Sequence, residues 1–210
     1  MDKRTSSIIL KLLDKSYGNV KSDLNFENIY QLTIAVVLSA QTTDRQVNTV
    51  TPQLFKKYNN FKSLGNANID DVMDIIKSTG FYKTKSQNII NLSKIVTKKF
   101  KGNLPQTIEE LMTLPGVGRK TASVIISVGF NIPALPVDTH VMRIACRLGY
   151  ANKRDPIIVE KALASIIPKK DWNKSHLLFI RHGRSTCRAR NPLCSKCSIF
   201  DLCDADDKVF

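Results

Sequence analysis

Leu114-Pro115-Gly116-Val117-Gly118-Arg119-Lys120-Thr121-Ala122 is the stretch on which the architecture turns. Just upstream, Thr107 and Glu110 have the spacing of a capping box, which opens a short helix running out near Leu114. Downstream, residues 119–129 carry an apolar helical pattern. The residues between form a tight turn joining two helices. Two glycines separated by one residue let the backbone turn sharply and bring amide N–H groups close to a ligand. The second helix begins at the same place, and the partial positive charge of its N-terminus favours an anion. The stretch therefore reads as a phosphate-binding hairpin of two helices, with an ordinary structural turn as the bland alternative. Other phosphate loops fail on spacing. A dinucleotide fingerprint needs a third glycine and a preceding strand, and a P-loop needs glycine immediately before its lysine.

Working outward, the helical period recurs and strand alternation is nearly absent. Ile8, Ile9, Leu12 and Leu13 make one stripe before Gly18, and residues 26–40 read as a helix buried on most sides. Ile69, Val72, Ile75 and Ile76 follow an Asn68 cap, with Gly80 as the expected stop. Ile89, Leu92, Val96 and Phe100 follow, stopped by Gly102. Further helices are predicted over about 139–148, 157–167 and 172–182, some ten in all. Gly and Pro together number 9 + 8 = 17 of 210. That is about 8%, against a usual share of roughly 12%. So few chain-turners argue against a many-stranded β protein, a collagen or a disordered chain. The predicted class is all-α, at a length that suits one large domain or two small ones. No apolar run is long enough to span a bilayer. The start, Met1-Asp2-Lys3-Arg4-Thr5, leads into an amphipathic pattern and not a signal-peptide core. A cytoplasmic protein that engages no membrane is the expectation.

Charge points to a partner. Thirty-two basic against 18 acidic residues leave +14, with a pI near 9.7, a balance suited to a polyanion. Between Ile75 and Lys101 there are seven lysines (77, 83, 85, 94, 98, 99 and 101) and no acid. Between Trp172 and Phe200 stand Lys174, Arg181, Arg184, Arg188, Arg190 and Lys196, again without an acid. Any one of these fits a solvated helix face, but two long acid-free stretches favour a surface that follows phosphates. The tail from Asp201 to Asp207 is acidic and is expected off that surface.

Two further constellations carry chemistry. Four of the five cysteines crowd into Cys187-x6-Cys194-x2-Cys197-x5-Cys203, which suits zinc or a [4Fe–4S] cluster. The wide, uneven gaps suit wrapping a bulky cube better than a zinc knuckle. Cys146, between Ile144 and Leu148, reads as an inert core thiol. Lys120 lies one turn into the helix that faces phosphate, and Asp138 opens another predicted helix. Singly, they read as a phosphate contact and an N-cap. Together, an amine and a carboxylate make a nucleophile and its electrostatic partner. A helix N-terminus disfavours an ammonium, and imine chemistry needs the free amine. His140 has no visible partner and reads as packing or a cap.

Leu38-Ser39-Ala40-Gln41-Thr42-Thr43-Asp44, the hairpin, Val137-Asp138-Thr139-His140 and the four-cysteine loop together resemble the endonuclease III family of DNA glycosylases, in the helix-hairpin-helix superfamily. The resemblance covers nearly the whole chain. It implies two α-helical domains with DNA in the cleft between them. A six-helix barrel would span 22–132 and end in the hairpin at about 107–128. Residues 1–21 and 133–210 would form a cluster domain, with a [4Fe–4S] cluster on Cys187, Cys194, Cys197 and Cys203. It implies a monomer acting on double-stranded DNA, in the bacterial nucleoid, at damaged pyrimidines or abasic sites. Gln41 would fill the space of a flipped nucleotide and Phe81 wedge the opposite strand, unless Phe81 is ordinary core. Gly116, Gly118, Arg119, Arg188 and Arg190 would hold phosphate. Lys120 would attack the sugar C1′, and Asp138 would stabilise the cationic sugar or assist with protons. Two other readings are a non-catalytic DNA-binding module with a structural metal and an adenine-mismatch glycosylase relative. The latter usually lacks the hairpin lysine and carries a further C-terminal domain, for which this chain has no room. An electron carrier would explain neither the hairpin nor the charge.

Overall fold

The computed structural model describes residues 1–209, and every regular element among them is helical. In chain order the α-helices are α1 (Lys3–Tyr17), α2 (Ile29–Leu38), α3 (Asp44–Lys57), α4 (Phe61–Gly65), α5 (Ile69–Ile76), α6 (Tyr82–Lys99), α7 (Ile108–Leu111), α8 (Arg119–Val124), α9 (Thr139–Arg147), α10 (Pro156–Ile166) and α11 (Trp172–Ser185). The chain divides into two compact units: Ser22–Ile132, and Met1–Lys21 together with the chain from Pro133 onward.

The helices start where short polar side chains can accept N–H groups of the first turn. Asp2, Asn28, Thr43, Asn60, Asn68, Thr107, Asp138 and Asp155 all do so. At Thr107 the hydroxyl accepts from the Glu110 N–H and donates to Glu110 Oε2 at 2.7 Å. The carboxylate thus turns back to the hydroxyl, where a full capping box would take it to the backbone. Helices α6 and α8 begin on Phe81 and Gly118 and have no side-chain cap.

In the unit Ser22–Ile132, α2 is buried almost all round, from Tyr30 to Leu38 except for Gln31. It packs against α3, α6 and α8, while α4 and α5 lie on α6. Leu32, Ile34, Leu38, Leu54, Leu64, Ile76, Ile89, Leu92 and Leu111 are fully buried. Each contributes on the order of 1.5–3 kcal/mol through the surface it removes from water. The sequence reading named no helix over α3 or α4, whose apolar positions are broken by polar and turn-forming residues. Gly80 is not the stop of α5: that helix ends at Ile76, and Gly80 falls in the turn that launches α6. The helix over 119–129 is α-helical only to Val124 and then widens into a π-helical turn, Ile125–Gly129.

The other unit joins the two ends of the chain. Ile9 and Leu13 of α1 share a core with Val141, Ile144, Val159, Leu163, Leu178 and Phe179. The Tyr150 hydroxyl donates to Ser6 Oγ at 2.6 Å, and Lys174 pairs with Asp14 at 2.7 Å. This core positions α9 and α11, between which the cysteine loop closes.

Candidate nucleic-acid interface and metal centre

The hairpin is anchored from beneath by buried Leu114 and Val117, and the Val117 N–H closes the turn on the Leu114 carbonyl at 3.1 Å. Gly116 sits at φ +78°, and a Cβ there would lie 3.1 Å from Asn88 and from Val37 Cγ1. The turn itself demands this glycine. Gly118 is different. Its φ is −88°, and nothing lies within 4 Å of where its Cβ would be. The fold does not require Gly118 to be bare, and the space beside it is open. Arg119 and Lys120 follow in the first turn of α8, exposed, with no acidic residue in that turn. Bare backbone, uncapped N–H groups and two cations together make an anion seat.

Gln41 and Phe81 stand in the same unit on neighbouring turns: Gly80 lies against the Gln41 carbonyl, its would-be Cβ 3.8 Å from that oxygen. Both have left-handed backbones, at φ 53° and 57°. For residues with a Cβ this conformation costs about 1 kcal/mol or more, and it clusters at working sites. Phe81 is 67% exposed, so it is not part of the core.

Asp138 caps α9, its Oδ1 accepting the Val141 N–H at 2.8 Å. Two residues on, His140 Nδ1 lies 3.2 Å from Arg143 Nη2, against Gly183. Burial holds its imidazole below the usual histidine range. His140 is thus packed and partnered, and it is not the cap.

The four loop cysteines are unbridged and half-buried. They surround a hollow otherwise lined mainly by Ile144, Leu148, Pro192, Leu193, Ile199 and Phe200. Four free thiols around one mainly apolar hollow are the donor set that a [4Fe–4S] cluster takes. Two side chains that the sequence did not single out complete the centre. Arg147 is 8% exposed. Its Nη1 donates to Cys187 Sγ at 3.2 Å and to the Arg188 carbonyl at 2.7 Å, and its Nε donates to the Asp207 carboxylate. That pairing holds the Asp207 carboxyl below its ordinary value, while burial pushes the Cys187 thiol up against the pull of Arg147. His182 Nε2 lies 3.8 Å from Cys197 Sγ, and its Nδ1 2.8 Å from the Tyr17 hydroxyl. Burial lowers the His182 pKa to about 4. Arg188 and Arg190 are exposed on the stretch just after Cys187, the former tied by Nε to the Ser185 carbonyl at 3.0 Å. Cys146 lies outside the hollow, its thiol 3.5 Å from the Lys153 carbonyl.

Comparison with known proteins matches residues 34–169 to the HhH-GPD superfamily base excision DNA repair protein, and residues 187–203 to the iron–sulfur binding domain of endonuclease III. Endonuclease III of Synechocystis sp. is 42% identical over 202 residues, 96% of this chain and 92% of that protein. Endonuclease III of Bacillus subtilis is 41% identical over 193 residues, 91% of this chain and 88% of that one. A solved structure of a trapped endonuclease III–DNA covalent intermediate, an estranged-adenine complex, matches with a TM-score of 0.92. It is 40% identical, with 97% of this chain and 96% of that chain covered.

Proposed function

The chain belongs to the endonuclease III family of HhH-GPD base excision repair proteins, and from that premise we propose how its own residues divide the work. The protein is a bifunctional DNA glycosylase and abasic-site lyase that carries a [4Fe–4S] cluster. Its substrate is duplex DNA holding an oxidised or ring-saturated pyrimidine, or an abasic site already made, and it acts as a monomer in the nucleoid. Among the described residues no helix is long and apolar enough to cross a membrane.

A base inside the stack is out of reach, so the nucleotide is first flipped out, at a cost of a few kcal/mol. Gln41 fills the vacancy and Phe81 enters the opposite strand. Gly116, Gly118 and Arg119 seat a phosphate at the start of α8, and Arg188 and Arg190 hold another stretch of backbone. The Lys120 amine forms a bond to C1′ as the C1′–N bond to the base breaks, and opening of the sugar leaves an imine. Asp138 stabilises the cationic sugar and assists the proton transfers. Loss of a proton from C2′ then expels the 3′ phosphate, cutting the strand 3′ to the lesion. Cys187, Cys194, Cys197 and Cys203 hold the cluster, which when bound supplies a rigid scaffold for the loop bearing the two arginines.

The observation that carries this reading is the start of α8: bare Gly118, uncapped N–H groups and exposed Lys120 in one turn. That the solved relative is a covalent intermediate with DNA supports a nucleophilic mechanism. Neither a module without chemistry nor an adenine-mismatch relative is favoured, since endonuclease III relatives match nearly the whole chain. The test is borohydride trapping on a duplex with one abasic site, using wild type and Lys120→Ala. The expected result is a covalent adduct and a nick from wild type alone, with DNA binding retained by the variant. An adduct from both would move the nucleophile off Lys120.

A further inference from the structure

We infer that Lys85 is the positioning residue that locks the turns bearing Gln41 and Phe81 into one two-pronged unit, an inference that rests on reading those two side chains as DNA contacts. In the sequence Lys85 is one of seven lysines in an acid-free stretch, indistinguishable from its neighbours. In the fold it is only 5% exposed. Its backbone N–H donates to the Phe81 carbonyl at 3.0 Å, and its ammonium donates to Thr42 Oγ1 at 2.5 Å. The backbone bond is the ordinary first-turn bond of α6, which carries Phe81 at its start; the Lys85 side chain is what ties that helix start to the residue after Gln41.

Three observations argue that this is more than packing. Burial penalises the charged lysine and lowers its pKa, and its ammonium is matched by a neutral hydroxyl, with no carboxylate in hydrogen-bonding distance among the described residues. A methionine would fill similar space without that desolvation cost. Next, both prong residues hold left-handed backbones, and such strain persists only where the surroundings over-determine it. Finally, a second cross-link joins the same two segments independently, from Gln46 Nε2 to Ser78 Oγ at 2.7 Å. The arrangement keeps Gln41 and Phe81 at a fixed separation before DNA arrives, so that filling one strand and wedging the other occur together.

The full-length protein is tested on a duplex carrying a tetrahydrofuran abasic analogue opposite 2-aminopurine, whose fluorescence rises as it loses its stack. The variants are Lys85→Met, Lys85→Arg, Thr42→Val, the Lys85→Met/Thr42→Val double, Gln41→Ala and Phe81→Ala. Lys85→Met is expected to keep the thermal midpoint and the affinity for undamaged duplex. Its fluorescence rise and its single-turnover excision rate on a lesion should fall about tenfold, the scale of one charged hydrogen bond. Lys85→Arg should recover part of the loss, and the double variant should be no worse than Lys85→Met alone, since both changes remove one interaction. If Lys85→Met unfolds, Thr42→Val alone must show the same loss. Wild-type fluorescence and rate in Lys85→Met, with Gln41→Ala and Phe81→Ala both defective, would overturn the inference and leave the contact reading standing. Wild-type behaviour in Gln41→Ala and Phe81→Ala would overturn both.

Discussion

Gly116 and Gly118 stand two residues apart in one turn and ask different things of the fold. The first is held at φ +78° with Asn88 and Val37 3.1 Å from any added methyl; the second has an ordinary φ and open space. Gly116→Ala should therefore cost about 1–3 kcal/mol of stability, read as a lower urea midpoint. Gly118→Ala should leave that midpoint alone and instead weaken binding to duplex DNA, because its methyl meets only what comes from outside. A stability loss at Gly118 would mean the space has a structural purpose. Asp138 needs the same separation, since it caps α9 whatever else it does. Asparagine caps a helix about as well as aspartate but carries no charge. Asp138→Asn should keep the thermal midpoint and lower the single-turnover rate roughly a hundredfold, the lower end for a lost acid–base group. Asp138→Ala should lose both, the stability by about 1 kcal/mol. Equal rates in wild type and Asp138→Asn would reduce Asp138 to its cap.

At the scale of elements, the N-terminus of α1 gives a titratable handle. The Asp2 carboxylate accepts from the Thr5 hydroxyl and from the Thr5 and Arg4 N–H groups, which lower its pKa from 3.8 to about 2. A carboxyl with a lower pKa folded than unfolded favours the fold above the unfolded value, and that support fades as pH falls from 3.8 toward 2. Asp2→Asn keeps a cap but does not titrate. Its urea midpoint should converge on that of wild type as pH drops through this window; a gap that stays constant would show that ionisation of Asp2 does not matter. Much at this scale was legible beforehand. Helix periods, the caps at Asn68 and Asp138 and the stop at Gly102 are local, and local chemistry is written in adjacent residues. The misses have a common cause. Lys85 looks like six other lysines until tertiary packing buries it, Arg147 until the loop brings Cys187 and Asp207 to it. The position of Gly80 depended on where α6 begins, and α6 begins on a left-handed Phe81 that no propensity favours. That α1 shares a core with α9 and α11 is a contact between chain ends, which a local pattern does not encode.

For the whole molecule, +14 of net charge makes DNA binding a competition with salt. Each phosphate contact releases about one counterion, so log affinity falls linearly with log salt, and each lost contact flattens the slope by about one. Arg188 and Arg190 lie just after Cys187, and the Arg188 carbonyl is held by the same Arg147 that donates to the Cys187 sulfur. The backbone of Arg188, two residues before Arg190, is therefore tied to the cluster site, and the two properties can be tested together. As purified, the protein should be brown, with iron and sulfide near four each per chain. Removing the iron by oxidation and chelation leaves thiols whose burial disfavours the thiolate at Cys187 and Cys197, so the loop loses what its four sulfurs share. In the loaded protein, Arg188→Ala and Arg190→Ala should each flatten the salt slope by about one. In the iron-free protein the wild-type slope should already be flatter by about two, and the same substitutions should change it little. Slopes that respond identically with and without iron would mean that the arginines are placed by the protein alone and the cluster serves some other end.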